Sequence, residues 1–183
     1  MGVAGAIAAF VAWAGASTIV LADGRRGVAF GLAMTAAGLT FLTWSTAGPI
    51  PGIALAAGGA IAAFVRDRSG PPGWALMPPG STPRLTLCIA AGLVALWLAV
   101  SVTSGPGAPL RFAAVCVVAL MGGRVLSARD PAVIMGAVAC LALAIAEAAG
   151  LAAPPPGPGP YVAAALVAVG GMFVRWPAAA HAA

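Results

Sequence analysis

The sequence has no lysine, no asparagine and no glutamine, a single histidine (His181), and only four carboxylates: Asp23, Asp67, Asp130 and Glu147. Without lysine there can be no Schiff base to retinal or pyridoxal phosphate, and no Gly-x-x-x-x-Gly-Lys-Ser/Thr phosphate loop. A histidine far from every serine leaves no base for a nucleophilic triad. The three cysteines, Cys88, Cys116 and Cys140, stand in separate apolar stretches, with neither Cys-x-x-Cys spacing nor a neighbouring histidine. They read as small buried apolar residues rather than zinc, iron–sulfur or haem ligands. Neither an enzyme nor a cofactor is expected from this inventory.

Charge is equally scarce. Charged residues make up 7% of the chain and hydrophobic ones 62%, against about 25% charged in an ordinary soluble domain. With a mean hydropathy of +1.05, the chain has too few polar groups to cover a water-facing surface, and the reading is a membrane protein. The net charge of +5 does not point to nucleic acid, because the arginines are scattered over short loops. Topology and anionic headgroups account for them.

What is present is a series of apolar runs. A helix needs roughly 20 residues to cross a hydrocarbon core of about 30 Å. Seven runs approach that length, at 3–22, 27–46, 50–65, 85–103, 109–126, 131–152 and 161–176, the third of them short enough to be re-entrant. The joints carry breakers: Asp23-Gly24, Gly48-Pro49, Gly105-Pro106, Asp130-Pro131, and a stretch of proline and glycine over 154–160. The first run lacks the basic start of a signal peptide and is read as a helix. Residues 66–84 form a proline-stiffened linker whose Trp74 and Met77 are placed to touch the interface or a partner.

With the N-terminus outside, Arg25, Arg26, Arg66, Arg68, Arg84, Arg124, Arg129 and Arg175 all fall on one side and only Arg111 on the other. The positive-inside rule then gives seven crossings, N-terminus out and C-terminus in. Asp23, Asp67 and Asp130 share the arginine side and are expected to serve as charge partners at helix ends. The expected fold is thus all-α, a single polytopic bundle over residues 1–183. The lysine-free, alanine- and arginine-rich composition points to the cytoplasmic membrane of a GC-rich bacterium.

Offset alignment gives a weak internal match. Val28 meets Val133, Gly31 meets Gly136, and Phe64-Val65-Arg66 meets Phe173-Val174-Arg175, pairing the first three helices with the last three around the fourth. The triplets would be parallel repeats. This three-plus-one-plus-three layout is similar to that of the small sugar-transporting SWEET proteins, though their Pro-Gln pair has no counterpart in a chain without glutamine. The similarity is one of layout and does not carry function.

Glu147 is the one acid deep within an apolar run, which makes it the candidate functional residue. Gly136, Cys140, Leu143 and Ala144 share its helical stripe, so it is expected to face protein as a neutral, hydrogen-bonded acid. Its partner is expected to be Arg111 or a hydroxyl on a neighbouring helix. The remaining intramembrane polar residues are serines and threonines, including Thr35, Thr40 and Thr43, which can bond back to their own helix. Trp44, Tyr161 and Trp176 are expected in interfacial belts, and Trp13 and Trp97 deeper against small residues. Small-xxx-small ladders recur: Ala4, Ala8, Ala12 and Ala16 in the first helix, Gly27, Gly31 and Thr35 in the second, Ala54, Gly58 and Ala62 in the third. Two functions follow as expectations. One is a non-catalytic subunit that packs with the lipid bilayer and other membrane subunits, with no nucleic-acid partner and no soluble substrate. The other is a small solute or proton transporter using Glu147.

Overall fold

A computed structural model describes residues 2–69, 72–76, 82–101, 107–128, 130–152 and 157–173. Its seven helices are α1 (Val3–Leu21), α2 (Arg25–Ala47), α3 (Pro49–Arg68), α4 (Thr82–Ser101), α5 (Ala108–Ser127), α6 (Pro131–Ala149) and α7 (Gly159–Phe173), and no strand occurs among the described residues. Apolar runs become helices here because a lipid-facing backbone must satisfy its own N–H and C=O groups. Five of the helices, α1, α2, α3, α5 and α6, are long and apolar enough to cross a membrane. The third segment, short in the sequence reading, is among them: Pro49 sits in its first turn and the helix continues through Arg66 to Arg68. The apolar part of α4 spans 17 residues or fewer, and α7 has 15 residues, about 22 Å of helix.

Two of the breakers, at Gly48-Pro49 and Asp130-Pro131, act as expected. Gly48 takes φ of +97°, a left-handed value that favours glycine, and its N–H donates to the Thr43 carbonyl at 3.2 Å before Pro49 opens α3. Asp130 caps α6, its carboxylate accepting from the Ala132 N–H at 2.8 Å.

The helices form two layers of three. In one, α2 lies between α1 and α3; in the other, α6 lies between α5 and α7. The layers stack with α1 on α5, α2 on α6 and α3 on α7. Contacts at the helix ends fix the directions. Asp23, just after α1, meets Arg84 of early α4 and Arg124 of late α5, and Arg66 of late α3 shares a cleft with Asp130 and with Met172 of late α7. Late α2 meets late α6 at the opposite end, through Thr43 and Glu147. Successive helices therefore alternate in direction, and α1, α2 and α3 run parallel to α5, α6 and α7.

The stacking is not that of a two-fold along the helices. An axis along the helices would set α1 against α7 and α3 against α5, and neither pair makes contact among the described residues. Even so, the offset that aligns Val28 with Val133 carries the buried Ala8, Ala12, Gly15 and Ile19 of α1 onto the buried Ala113, Val117, Leu120 and Arg124 of α5. Nor is α4 central in space. Among the described helices it packs on α5 and α1 alone, at the edge of the bundle, with Leu87, Leu93, Leu96 and Trp97 exposed. Trp97 thus faces outward from the bundle. Trp13 matches its expected place, set against Gly92 with its indole N–H donating to the Cys88 carbonyl at 3.3 Å.

Glycine lets α1 and α2 approach closely. A Cβ placed on Gly15 would stand 2.5 Å from the Thr35 nitrogen, and one on Gly38 would stand 2.5 Å from the Ala8 carbonyl. With no water to expel between lipid-immersed helices, such backbone proximity supplies the van der Waals contact that holds them. Part of the linker is also docked. The Asp23 N–H donates to the Ala75 carbonyl at 3.1 Å and the Arg26 N–H to the Gly73 carbonyl at 3.2 Å, while Trp74 meets the Phe30 ring edge-on at 5.9 Å. Trp74 therefore touches this chain's own helix. Met77, Arg129, Arg175, Trp176 and His181 lie outside the described residues.

Candidate functional site

Helical periodicity brings Glu147 inward. Gly136, Ala137, Cys140, Leu143, Ala144 and Glu147 are all buried on the face of α6 that meets α2, α3 and α5, and Glu147 is fully buried. Its Oε1 is hydrogen-bonded to the Thr43 hydroxyl of α2. That same hydroxyl lies 2.9 Å from the Leu39 carbonyl one turn back. Since Thr43 has one proton, both contacts are satisfied together when the carboxyl donates to Thr43 and Thr43 donates to Leu39. The other oxygen, Oε2, is buried without a hydrogen-bond partner among the described residues.

Tyr161 completes this end. It is 1% exposed, and its hydroxyl lies over Gly150, where a Cβ would collide with it. Gly150 follows Glu147 by three residues, so the missing side chain makes room for the ring beside the carboxyl. Tyr161 is thus buried inside the bundle, whereas Trp44 on α2 is half-exposed.

Arg111 does not join the site. Its guanidinium folds back over Gly107 at the start of its own helix, and the described ion pairs do not include it with Glu147. The expected Arg111–Glu147 pair is thus replaced by the hydroxyl partner. The physical reason is local: Gly107 offers the guanidinium a place without crossing to α6.

The second polar cluster sits at the arginine end. Asp23 receives both Arg84, whose Nη1 is 3.1 Å from each carboxylate oxygen, and Arg124, whose Nη2 also donates to the Ala22 carbonyl at 2.9 Å. Arg124 is buried and Asp23 is partly exposed. Partial burial pushes the Asp23 carboxyl up, and the hydrogen bonds and charges of Arg124 and Arg84 together outweigh it, holding the carboxyl below its ordinary value.

The third cluster is a cleft of about 220 Å³ between the ends of α3, α6 and α7, lined by Arg66, Ser69, Asp130, Met135 and Met172 among others. The three cysteines are free, buried and separate. No protein-family model, no curated protein and no solved structure matches the chain.

Proposed function

We propose that this chain is a non-catalytic, multi-pass subunit of a complex in a bacterial cytoplasmic membrane, crossing seven times with its N-terminus outside. The observation that carries this reading is the edge position of α4. Supported on one side only, α4 flanks a groove of about 500 Å³ whose lining includes Phe10, Trp13, Gly92, Leu93, Leu96 and Phe112, almost wholly apolar. Gly92 and the nearby Ala6, Ala9 and Ala108 leave its floor low, which suits the close approach of a partner's transmembrane helix. The buried polar side chains Glu147 and Arg124, by contrast, are engaged in contacts between this chain's own helices.

The test is to extract the tagged chain from its native membrane in mild detergent, with a photo-crosslinker at Leu93 and a control at the exposed Leu166 of α7, at the opposite edge of the bundle. A stoichiometric membrane partner captured from Leu93 is the expected result. Recovery of the chain alone, with only lipid captured at both positions, sinks the proposal.

One observation favours a second reading, a small proton or solute carrier: Oε2 of Glu147 is buried and unpartnered. Proton flux into liposomes containing the purified chain, abolished by Glu147→Gln, would establish it.

A further inference from the structure

Arg66 is 1% exposed, yet among the described residues its Nε and Nη2 have no hydrogen-bond partner, while Nη1 donates to the Ser69 carbonyl at 2.5 Å. A buried guanidinium with two idle donors is costly unless something accepts from them. Its Cδ and Nε lie against α6 at Gly136, and the side chain lines the cleft between α3, α6 and α7. Asp130 lines the same cleft, but the two do not close into an ion pair. The opposed charges share a cleft of about 220 Å³ whose remaining walls include Met135 and Met172, too small for a drug-sized ligand.

The position limits what can enter. The cleft opens where helix ends gather with Arg25, Arg26 and Arg68, the end that a membrane-embedded bundle places among headgroups. A phosphate there would accept from Nε and Nη2 in the planar geometry that guanidinium favours. A phosphate alone would leave the Asp130 carboxylate facing an anion. A phosphate ester carrying a nearby ammonium satisfies both charges.

We infer that this cleft binds a phosphoethanolamine group, with phosphate on Arg66 and ammonium on Asp130. The bilayer supplies that group as an ethanolamine phospholipid, and solution supplies it as soluble phosphoethanolamine. The site is independent of Glu147 and of any partner subunit.

The experiment uses the purified full chain, native mass spectrometry for lipid retention, and thermal melting. Ethanolamine and glycerol phospholipids with matched acyl chains are the lipid probes; soluble phosphoethanolamine and inorganic phosphate are the others. The ethanolamine lipid should be retained about tenfold over the glycerol lipid, the worth of one charge-assisted hydrogen bond. Asp130→Asn should bring that ratio to about one while leaving α6 capped, because asparagine caps as well as aspartate. Arg66→Gln should abolish retention of both, and Asp130→Asn decides the matter if Arg66→Gln fails to fold. Stabilisation by soluble phosphoethanolamine equal to that by the lipid supports the assignment and places its source in solution. Equal retention of the two lipids, a ratio unchanged in Asp130→Asn, stabilisation by inorganic phosphate alone to the same extent, or no retention above the detergent blank overturns it.

Discussion

Replacing Asp23 with asparagine removes a charge without changing shape, and the structure sets the size of the effect. The Arg84 contact is an exposed pair, a third open on the arginine side, and is worth about 0–1 kcal/mol. Arg124 is different: it is 2% exposed, so the loss of the carboxylate charge leaves a buried guanidinium facing only neutral acceptors, the Asn amide oxygen and the Ala22 carbonyl. Orphaning a fully buried charge costs about 3–5 kcal/mol. Because Asp23 itself is 40% exposed, water screens roughly half of that, and about 2–3 kcal/mol remains for both contacts. Cys88, Cys116 and Cys140 are buried and free, so a thiol-reactive fluorophore reports unfolding without an added label. Asp23→Asn should melt several degrees below the parent and Arg84→Ala at most a degree or two below it. The pH dependence follows from the sign of the shift. A carboxyl held below its ordinary value stabilises fully above about pH 4 and loses that contribution as pH falls through the lowered folded value. The Asp23→Asn deficit should therefore be constant from pH 5 to 8 and shrink only in stronger acid. Equal melting of Asp23→Asn and the parent at pH 7, or a deficit that vanishes by pH 6, refutes the reasoning.

Two further predictions rest on packing inside the bundle. Glu147→Gln should be close to neutral, because an amide can replace a carboxyl that bonds Thr43, whereas Glu147→Leu and Thr43→Val should show a coupling of about 0.6–1.7 kcal/mol in a double-mutant cycle of unfolding free energies. Destabilisation by Gln as large as by Leu would show that the charge, not the hydroxyl contact, matters. Gly15→Ala should destabilise by about 1–3 kcal/mol by forcing α1 off α2, while Gly122→Ala, with nothing within 4 Å of the added carbon, should be neutral or raise stability by about 0.5–1 kcal/mol. Melting temperatures in the same order for both alanines would contradict the close approach at Gly15.

Helix positions were legible because glycine, proline and aspartate punctuate apolar runs, and lipid leaves such runs no alternative to helix. The inward stripe of Glu147 was legible from a period of 3.6, since Gly136, Cys140 and Leu143 fall on one side. Its partner was not. Thr43 is one hydroxyl among several, each able to bond its own helix, as Thr43 also does to Leu39. Tyr161 follows a proline–glycine loop and so resembles a boundary tyrosine; only the space above Gly150, made by the approach of α7 to α6, shows it is interior. Arg66 and Arg124 read as charges that set topology. Their burial depends on which helix ends meet, a tertiary fact with no local signature.

The polar contacts have a shared placement that bears on how the layers find their register. Small residues on both faces let two helices slide along each other with little change in contact, so the apolar interface specifies register weakly. The Asp23–Arg124 contact ties α1 to α5 at the arginine end, and Thr43–Glu147 ties α2 to α6 at the other. Eighteen residues of α2, from Arg25 to Leu42, separate Asp23 from Thr43, about 27 Å of helix. Two pins at opposite ends oppose both sliding and rotation, a use of buried polar pairs better attested than stabilisation. At that distance their energies should be independent, so Asp23→Asn combined with Thr43→Val should lose the sum of the single losses within about 0.5 kcal/mol while the layers stay in register. A loss well beyond the sum means that either pin alone holds the register and that removing both frees the layers to slide. Disulfide trapping between cysteines introduced in facing positions of α2 and α6 separates the cases: one crosslinked register in the additive case, several in the other.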